Sequence, residues 1–497
     1  MRRYLFFLAS NFISIMAFTK IINGSTILND YCIAESNDST RHCSADIAVN
    51  QAEYFIITWL SVFNENDPNV FFPTTEINGR QYQTDGNPLT PVFRIDNEYS
   101  GGDPSLDIND AGKFIVIWWG TRICFQRYNE SAEPQGGNIR ISSISAKSGE
   151  NPTAGIDGIG NFTVVWDNFY VPRGIFGQRF NADGDSLGPA FRINNQYFEE
   201  IWNPAIAVSE VGNFIVIWEK GRYGENGIYG QLFDNNGQPD GDNFKISDFI
   251  GNARHSYSSV AIDSSGNIIA VVWQDNHRGD YEIYCQLYHN GISFGSNFKV
   301  NEDDNDSTSW YIPAIAMDES GKFVITWSDK RNGDYDIYGQ CYNSFGEAIG
   351  KNFIINSERK GNQMDPSVDL KNGLIYNTWT DSSIWVNVIE FPDISRIDNE
   401  KCKIPDRFEL LPNFPNPFNL STTLKYSLKE KIKVTIKIYN ILGKEVITLV
   451  NETQPAGYQS IIWNGTDHLG NPVPSGIFIC KMIAGDFTKS QKMVLMK

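Results

Sequence analysis

The chain is poor in the residues from which most catalytic and metal-binding motifs are built. It has five His in 497 residues. None of His42, His255, His277, His289 and His468 belongs to a His-Glu-x-x-His pair. A Gly-x-Ser-x-Gly elbow and a phosphate-cradling loop are also missing. The seven Cys are odd in number and show no metal-ligand spacing. Basic charge is scarce where it would matter for nucleic acid. Residues 1–400 hold 28 Lys+Arg against 52 Asp+Glu, a balance of −24, and phosphate is repelled by such a body. Beyond the N-terminus no apolar run is long enough to cross a bilayer, which takes about 20 residues. Carboxylates are the one catalytic residue type in plenty, and sequence alone selects no acid/base pair among them.

The N-terminus has the pattern of a secretory signal. Arg2 and Arg3 precede an apolar stretch from Tyr4 to Phe18, and cleavage is expected near Ala17, giving a signal over 1–17. A retained anchor is the alternative. In the oxidising compartment that export implies, Cys32 and Cys43 are near enough in sequence to pair. Cys124, Cys285, Cys341 and Cys480 fall inside expected strands and read as small packing residues. Residues 401–497 carry 13 Lys+Arg and 7 Asp+Glu, so the charge changes sign near 400, where a domain boundary is expected.

A repeat decides the architecture. An apolar strand ending in Trp recurs at Trp59, Trp118, Trp166, Trp218, Trp273, Trp327 and Trp379, at about the period of a propeller blade. Each full copy holds four short apolar runs. In the fourth copy these are Pro204–Val208, Asn213–Trp218, Ile228–Phe233 and Asn243–Ser247. Their length, β-branched and aromatic content, and Gly/Asn/Asp punctuation predict strands. Seven copies of four strands predict a seven-bladed β-propeller over 18–391, with the repeated Trp packed between blades. The first copy carries extra residues near Ser61–Glu76. The last copy lacks a fourth strand, and Phe18–Asn23 (FTKIIN) is expected to supply it, closing the ring.

These repeats resemble those of a secreted bacterial family with units of the form "DGxFVVVWxDxRxGxxDIYxQRFDxxG". The match is closest at Pro313–Asn356, through Trp327, Asp329, Arg331, Gly333, Asp336 and Gln340. The resemblance implies fold and export and no defined activity. Residues 392–411 read as a linker. Next comes Pro412-Asn413-Phe414-Pro415-Asn416-Pro417-Phe418-Asn419, then Ser421-Thr422-Thr423. With Pro415, Asn416, Pro417, Phe418 and Asn419 at its centre, this run is similar to the opening of type A sorting domains of the type IX secretion system. Leu420 stands where that family often has Pro. The resemblance implies that 412–497 is recognised by an outer-membrane translocon, leading to surface attachment or release. Alternating runs from Leu424 to Met496 independently predict a small immunoglobulin-like β-sandwich. The whole is therefore expected to be all-β.

Two surface features suggest function. The hairpin after the repeated Trp carries Asp275 and Asp280 in the fifth copy, and Asp329 and Asp334 in the sixth. These read either as turn-satisfying residues or as oxygen ligands of a Ca²⁺ loop without EF-hand spacing. Connections between blades carry Tyr99, Tyr197, Phe198, Trp202, Phe249, Tyr257, Trp310 and Tyr311. They either cap blade cores or form a rim for an extracellular glycan or protein. A catalytic propeller should place polar residues on its innermost strands. Ala205-Ile206-Ala207, Val260-Ala261-Ile262 and Ala314-Ile315-Ala316 are bland. The expectation is thus a binding protein without a cofactor, with a glycosidase-like extracellular hydrolase as the alternative.

Overall fold

The computed structural model describes residues 26–37, 39–65, 74–97, 101–120, 122–141, 149–168, 173–195, 200–221, 226–248, 254–277, 281–302, 312–357, 361–392, 407–410, 413, 416, 418, 422–454 and 457–496. The expected signal over 1–17 lies outside them.

Every regular element among the described residues is a strand. Seven four-stranded antiparallel sheets follow one another along the chain. Their innermost strands are Thr40–Val49, Ser105–Ile108, Gly149–Ile156, Ile201–Val208, His255–Ile262, Ala314–Met317 and Met364–Lys371, in blades 1 to 7. Each touches the next, and that of blade 7 touches that of blade 1, so the ring is closed.

A blade of this kind cannot cover both its faces, so the core lies between blades. Each apolar cluster of the ring joins two neighbours. Ile56 and Val116 meet between blades 1 and 2, and Ile215 and Val271 between blades 4 and 5. The repeated Trp packs toward the preceding blade in each copy. Trp118 joins the blade 1–2 cluster, Trp218 the 3–4 cluster and Trp327 the 5–6 cluster. All seven are buried. The thiols of Cys124, Cys285, Cys341 and Cys480 are buried too, and burial raises the pKa of each. Cys32 and Cys43 are half-buried free thiols, so the pairing allowed by sequence is not made.

A second repeat ties the outer rim. In blade 4, Asn243 Nδ2 donates to Gln231 Oε1 at 2.6 Å and to Ile193 O of blade 3 at 3.2 Å. Its Oδ1 accepts from Asn195 N at 2.6 Å. Asn138, Asn297 and Asn352 make the same three bonds in blades 2, 5 and 6.

The fourth strand of blade 7 corrects the expected closure. It is Thr26–Ala34, antiparallel to Ile384–Glu390, while Phe18–Asn23 lies outside the described residues. Tyr31 stands opposite Val386 and Cys32 opposite Trp385, as Phe244 and Lys245 stand opposite Gly230 and Tyr229 in blade 4. The matching segments are therefore Asp30-Tyr31-Cys32-Ile33-Ala34 and Asn243-Phe244-Lys245-Ile246-Ser247. Asp30 takes over the rim bond as well. It accepts from Asn387 Nδ2 at 3.1 Å and from Ser357 N at 2.6 Å. The ring needs this polar anchor as well as an apolar strand, and the anchor falls on Asp30.

The C-terminal sandwich packs one sheet of Glu409–Leu410, Thr422–Leu428 and Gly457–Trp463 against another of Glu445–Gln454, Ile432–Asn440, Gly476–Ala484 and Phe487–Leu495. Leu410 is buried in its core and Phe408 packs against it. The sandwich thus takes up residues expected in the 392–411 linker.

Candidate functional site: the axial channel

The seven innermost strands present their free edges to the axis, so their outward N–H groups need acceptors. Blades 7, 1 and 2 supply carboxylates. Asp369 of blade 7 accepts from Val49 N of blade 1 at 2.8 Å. Asp46 of blade 1 accepts from Leu106 N of blade 2 at 2.8 Å, and from Ser367 Oγ of blade 7 at 2.7 Å. Asp107 of blade 2 accepts from Ile156 N of blade 3 at 2.9 Å. All three line the axis and are only partly shielded from solvent.

The rest of the ring differs. Asp107 and Asp369 stand opposite the residue three before the repeated Trp. At that register the other blades have Ala48, Gly155, Ala207, Ala261 and Ala316. A Cβ on Gly155 would come within 2.4 Å of Val208 Cγ2, so blade 4 leaves no room there for a side chain. The bland sequences are a property of blades 3 to 6. The expectation of featureless innermost strands is thereby corrected for blades 7, 1 and 2.

Confinement in protein pushes the Asp107 carboxyl up to about 8, and the charges of Asp369 and Asp46 add to this against its backbone donors. Burial pushes Asp369 up to about 6 and also raises Asp46. Confinement thus favours the protonated form more at Asp107 than at Asp369. Two carboxyls with values pushed apart are the arrangement needed for an acid and a base.

The mouth is built by a bulge in the innermost strand. Ser44, Asn151, Asn203, Tyr257 and Asp365 sit there with φ of 52°, 45°, 49°, 54° and 53°. Positive φ at a non-glycine costs on the order of 1 kcal/mol and is held by surrounding bonds. Ser44 Oγ donates to Asp103 Oδ1 at 2.6 Å. Asn203 N and Asn151 Nδ2 donate to Asp167 Oδ2 at 2.9 and 3.0 Å. Burial, with Asp103 nearby, raises the Asp365 carboxyl.

Of the expected rim aromatics, Trp202 and Tyr257 are described, and both are tied to Glu219. Trp202 Nε1 donates to Glu219 Oε2 at 2.8 Å, and Tyr257 N donates to Oε1 at 2.7 Å. Both rings are half-buried. Tyr99, Tyr197, Phe198, Phe249, Trp310 and Tyr311 lie outside the described residues, as does Asp280. Asp275 is buried and accepts from His277 Nδ1 at 2.8 Å and Trp273 Nε1 at 3.3 Å, with His255 Nδ1 at 2.9 Å. Burial opposes its ionisation, yet the histidines hold it below the usual carboxylate range. Asp329 accepts from Trp327 Nε1 at 2.9 Å and pairs with Arg331. Asp334 is exposed on the turn beyond. Asp275 and Asp329 thus serve their hairpins. Among the described residues no three His, Cys, Asp or Glu side chains converge closely enough to hold a metal ion.

In the sandwich, Asn416 and Phe418 fasten the last strand. Asn416 Oδ1 accepts from Val494 N at 2.9 Å, and Nδ2 donates to Lys492 O at 3.1 Å. Phe418 is buried against Trp463. Pro415, Pro417 and Asn419 lie outside the described residues.

No curated protein matches the chain in sequence. Similar solved structures include a protein of unknown function from Dyadobacter fermentans DSM 18053, at 10% identity and TM-score 0.45, covering 74% of this chain and 100% of that one. A Penicillium chrysogenum alpha-L-arabinanase aligns at 11% identity and TM-score 0.42, covering 58% and 93%. A PL25 ulvan lyase aligns at 11% identity and TM-score 0.46, covering 71% and 94%. Likeness at this level says nothing of substrate or reaction. The C-terminal part is different: over residues 419–486 the chain matches the family described as FlgD Ig-like domain.

Proposed function

We propose that this is an exported propeller protein that hydrolyses an extracellular saccharide in its axial channel. The observation that carries this reading is the pair of carboxylates Asp369 and Asp107 on blades 7 and 2, with Asp46 two positions earlier on the intervening blade 1, set against Gly and Ala at the Asp369 and Asp107 register of the other five blades. Asp107 donates its proton to the departing glycosidic oxygen. Asp369 takes a proton from a water that adds to the anomeric carbon. Transfer from Asp369 back to Asp107 restores both groups. The acidic body repels polyanions, so the substrate is a neutral or amino-bearing saccharide. Ser44, Asn151, Asn203 and Asp365 at the mouth are suited to hydroxyl groups.

Export rests on the signal-like residues 1–17 and on the likeness of 412–497 to type IX sorting domains, with an outer-membrane translocon as partner and the cell surface or medium as destination. Loss of secretion when residues 412–497 are removed would test that half.

A hydrolase screen of the purified protein over neutral and amino polysaccharides tests the other half. Activity is expected to fall on the order of 100-fold or more in D107N. A second reading is binding without turnover. It is favoured by the way each channel carboxylate also fastens the neighbouring blade. Saccharide binding that survives in D107N, with no turnover in the parent protein, would establish that reading instead.

A further inference from the structure

The hydrolytic reading leaves open whether a chain threads the channel or enters by its end. The turns after the innermost strands bear on this, because one of them breaks the repeat. The residue that follows the innermost strand's last core position is Asn50, Asn109, Asp157, Ser209, Asp263 and Asp318 in blades 1 to 6. Each accepts the N–H that closes its own turn. In blade 7 that residue is Lys371, before the shorter turn Asn372-Gly373.

Lys371 reaches across the ring. Its Nζ pairs with Asp110 of blade 2, passing over blade 1. It is also within electrostatic reach of Glu319 of blade 6 and Asp369 of its own blade. Burial opposes its charge, yet Asp110 and these carboxylates hold its pKa above the usual lysine range. Asp110 is tied onward to blade 4, since its N donates to Glu210 Oε1 at 3.3 Å. That contact passes over blade 3 at Gly158, whose N donates to Glu210 O at 3.1 Å. A Cβ on Gly158 would lie 2.4 Å from Glu210 Oε2 and 2.8 Å from Glu210 O, so Gly158 is what lets Glu210 through. Burial, with Asp110 close by, raises the Glu210 carboxyl. These contacts join blades 7, 2 and 4 across the axis, at the end opposite the bulged mouth.

We propose that Lys371, Asp110 and Glu210 floor the channel, making it a blind well that admits the end of a saccharide chain and not its interior. This rests on the hydrolytic reading, and two measurements separate the two. The first needs no substrate. A water-soluble carbodiimide joins an amine and a carboxylate in direct contact, and the Asp110 side chain is 40% exposed, enough for the reagent to enter. Treatment of the full chain followed by peptide mass spectrometry is expected to give a Lys371–Asp110 isopeptide, absent in K371M. Lys437–Glu445 in the sandwich, an ion pair at 2.8 Å, is the positive control. A link at the control pair alone would overturn the floor.

The second measurement follows viscosity and reducing ends together, with linear β-1,4-mannan and chitosan as probes. Chain-end attack is expected to release reducing ends while viscosity is held. Early loss of viscosity would overturn the well even if the isopeptide forms. No hydrolysis of either probe, or of any other polymer in the screen, would overturn the hydrolytic reading and the chain-end assignment with it.

Discussion

The channel has two arcs built on one repeat. Blades 7 and 2 carry Asp369 and Asp107 where blades 1 and 3 to 6 carry Ala48, Gly155, Ala207, Ala261 and Ala316, and blade 1 carries its own Asp46 two positions earlier. Behind them the two arcs are alike, with a buried Trp and apolar second strand in every blade. The difference therefore lives at the inner edge, where side chains add little to the core. A repeat protein can change chemistry there without disturbing what holds its blades together.

The largest effect is expected at the seam of the acidic arc. Deleting Thr26–Ala34 leaves Ile384–Glu390 an unpaired edge, and thermal unfolding should show a greater loss than any point substitution below. Trp118→Ala and Trp218→Ala, one from each arc, should each cost about 3–5 kcal/mol by urea denaturation. Clearly unequal costs would mean that the arcs differ in their cores as well.

Next comes pH. The folded value of Asp107 lies above its ordinary 3.8, at about 8. The folded state therefore holds a proton that the unfolded chain has released, and stability falls as pH rises from about 4 through 8. Asp369, at about 6, adds to the lower part of that window. The loss is on the order of a few kcal/mol, and D107N should flatten the slope of melting temperature against pH. Gly155→Ala tests the neutral arc by overpacking and should cost about 1–3 kcal/mol in the same denaturation assay. Smallest is the rim. Asn243→Ala and Asp30→Ala should each cost about 1 kcal/mol or slightly more. An Asp30 variant as stable as the parent would show that the seam is held by strand pairing alone.

Much of the fold is legible in the sequence because its signals are local. Trp spacing counts the blades, and alternation finds the strands of the sandwich. The closing strand is harder. Phe18–Asn23 and Asp30–Ala34 both look like an outer strand, and the pairing of Thr26–Ala34 with Ile384–Glu390, together with the rim bond made by Asp30 and Asn387, decides between them. The carboxylates leave a trace as well, an Asp inside the apolar runs Ala45–Val49, Leu106–Ile108 and Val368–Leu370. That trace does not say that the three runs meet at one axis, because the acceptors serve N–H groups of other blades. Lys371 is least legible of all, since its partner Asp110 is 261 positions away.

Closure by the first strand has a kinetic consequence. Asp30 and Asn387 are 357 positions apart, so the earliest of the described strands to be synthesised is among the last to find its partner. A contact of such sequence separation is slow to form. Until it does, the exposed edge of Ile384–Glu390 is open to the N-terminal strand of a second molecule. Refolding at high concentration is accordingly expected to yield strand-exchanged dimers that dilute refolding avoids.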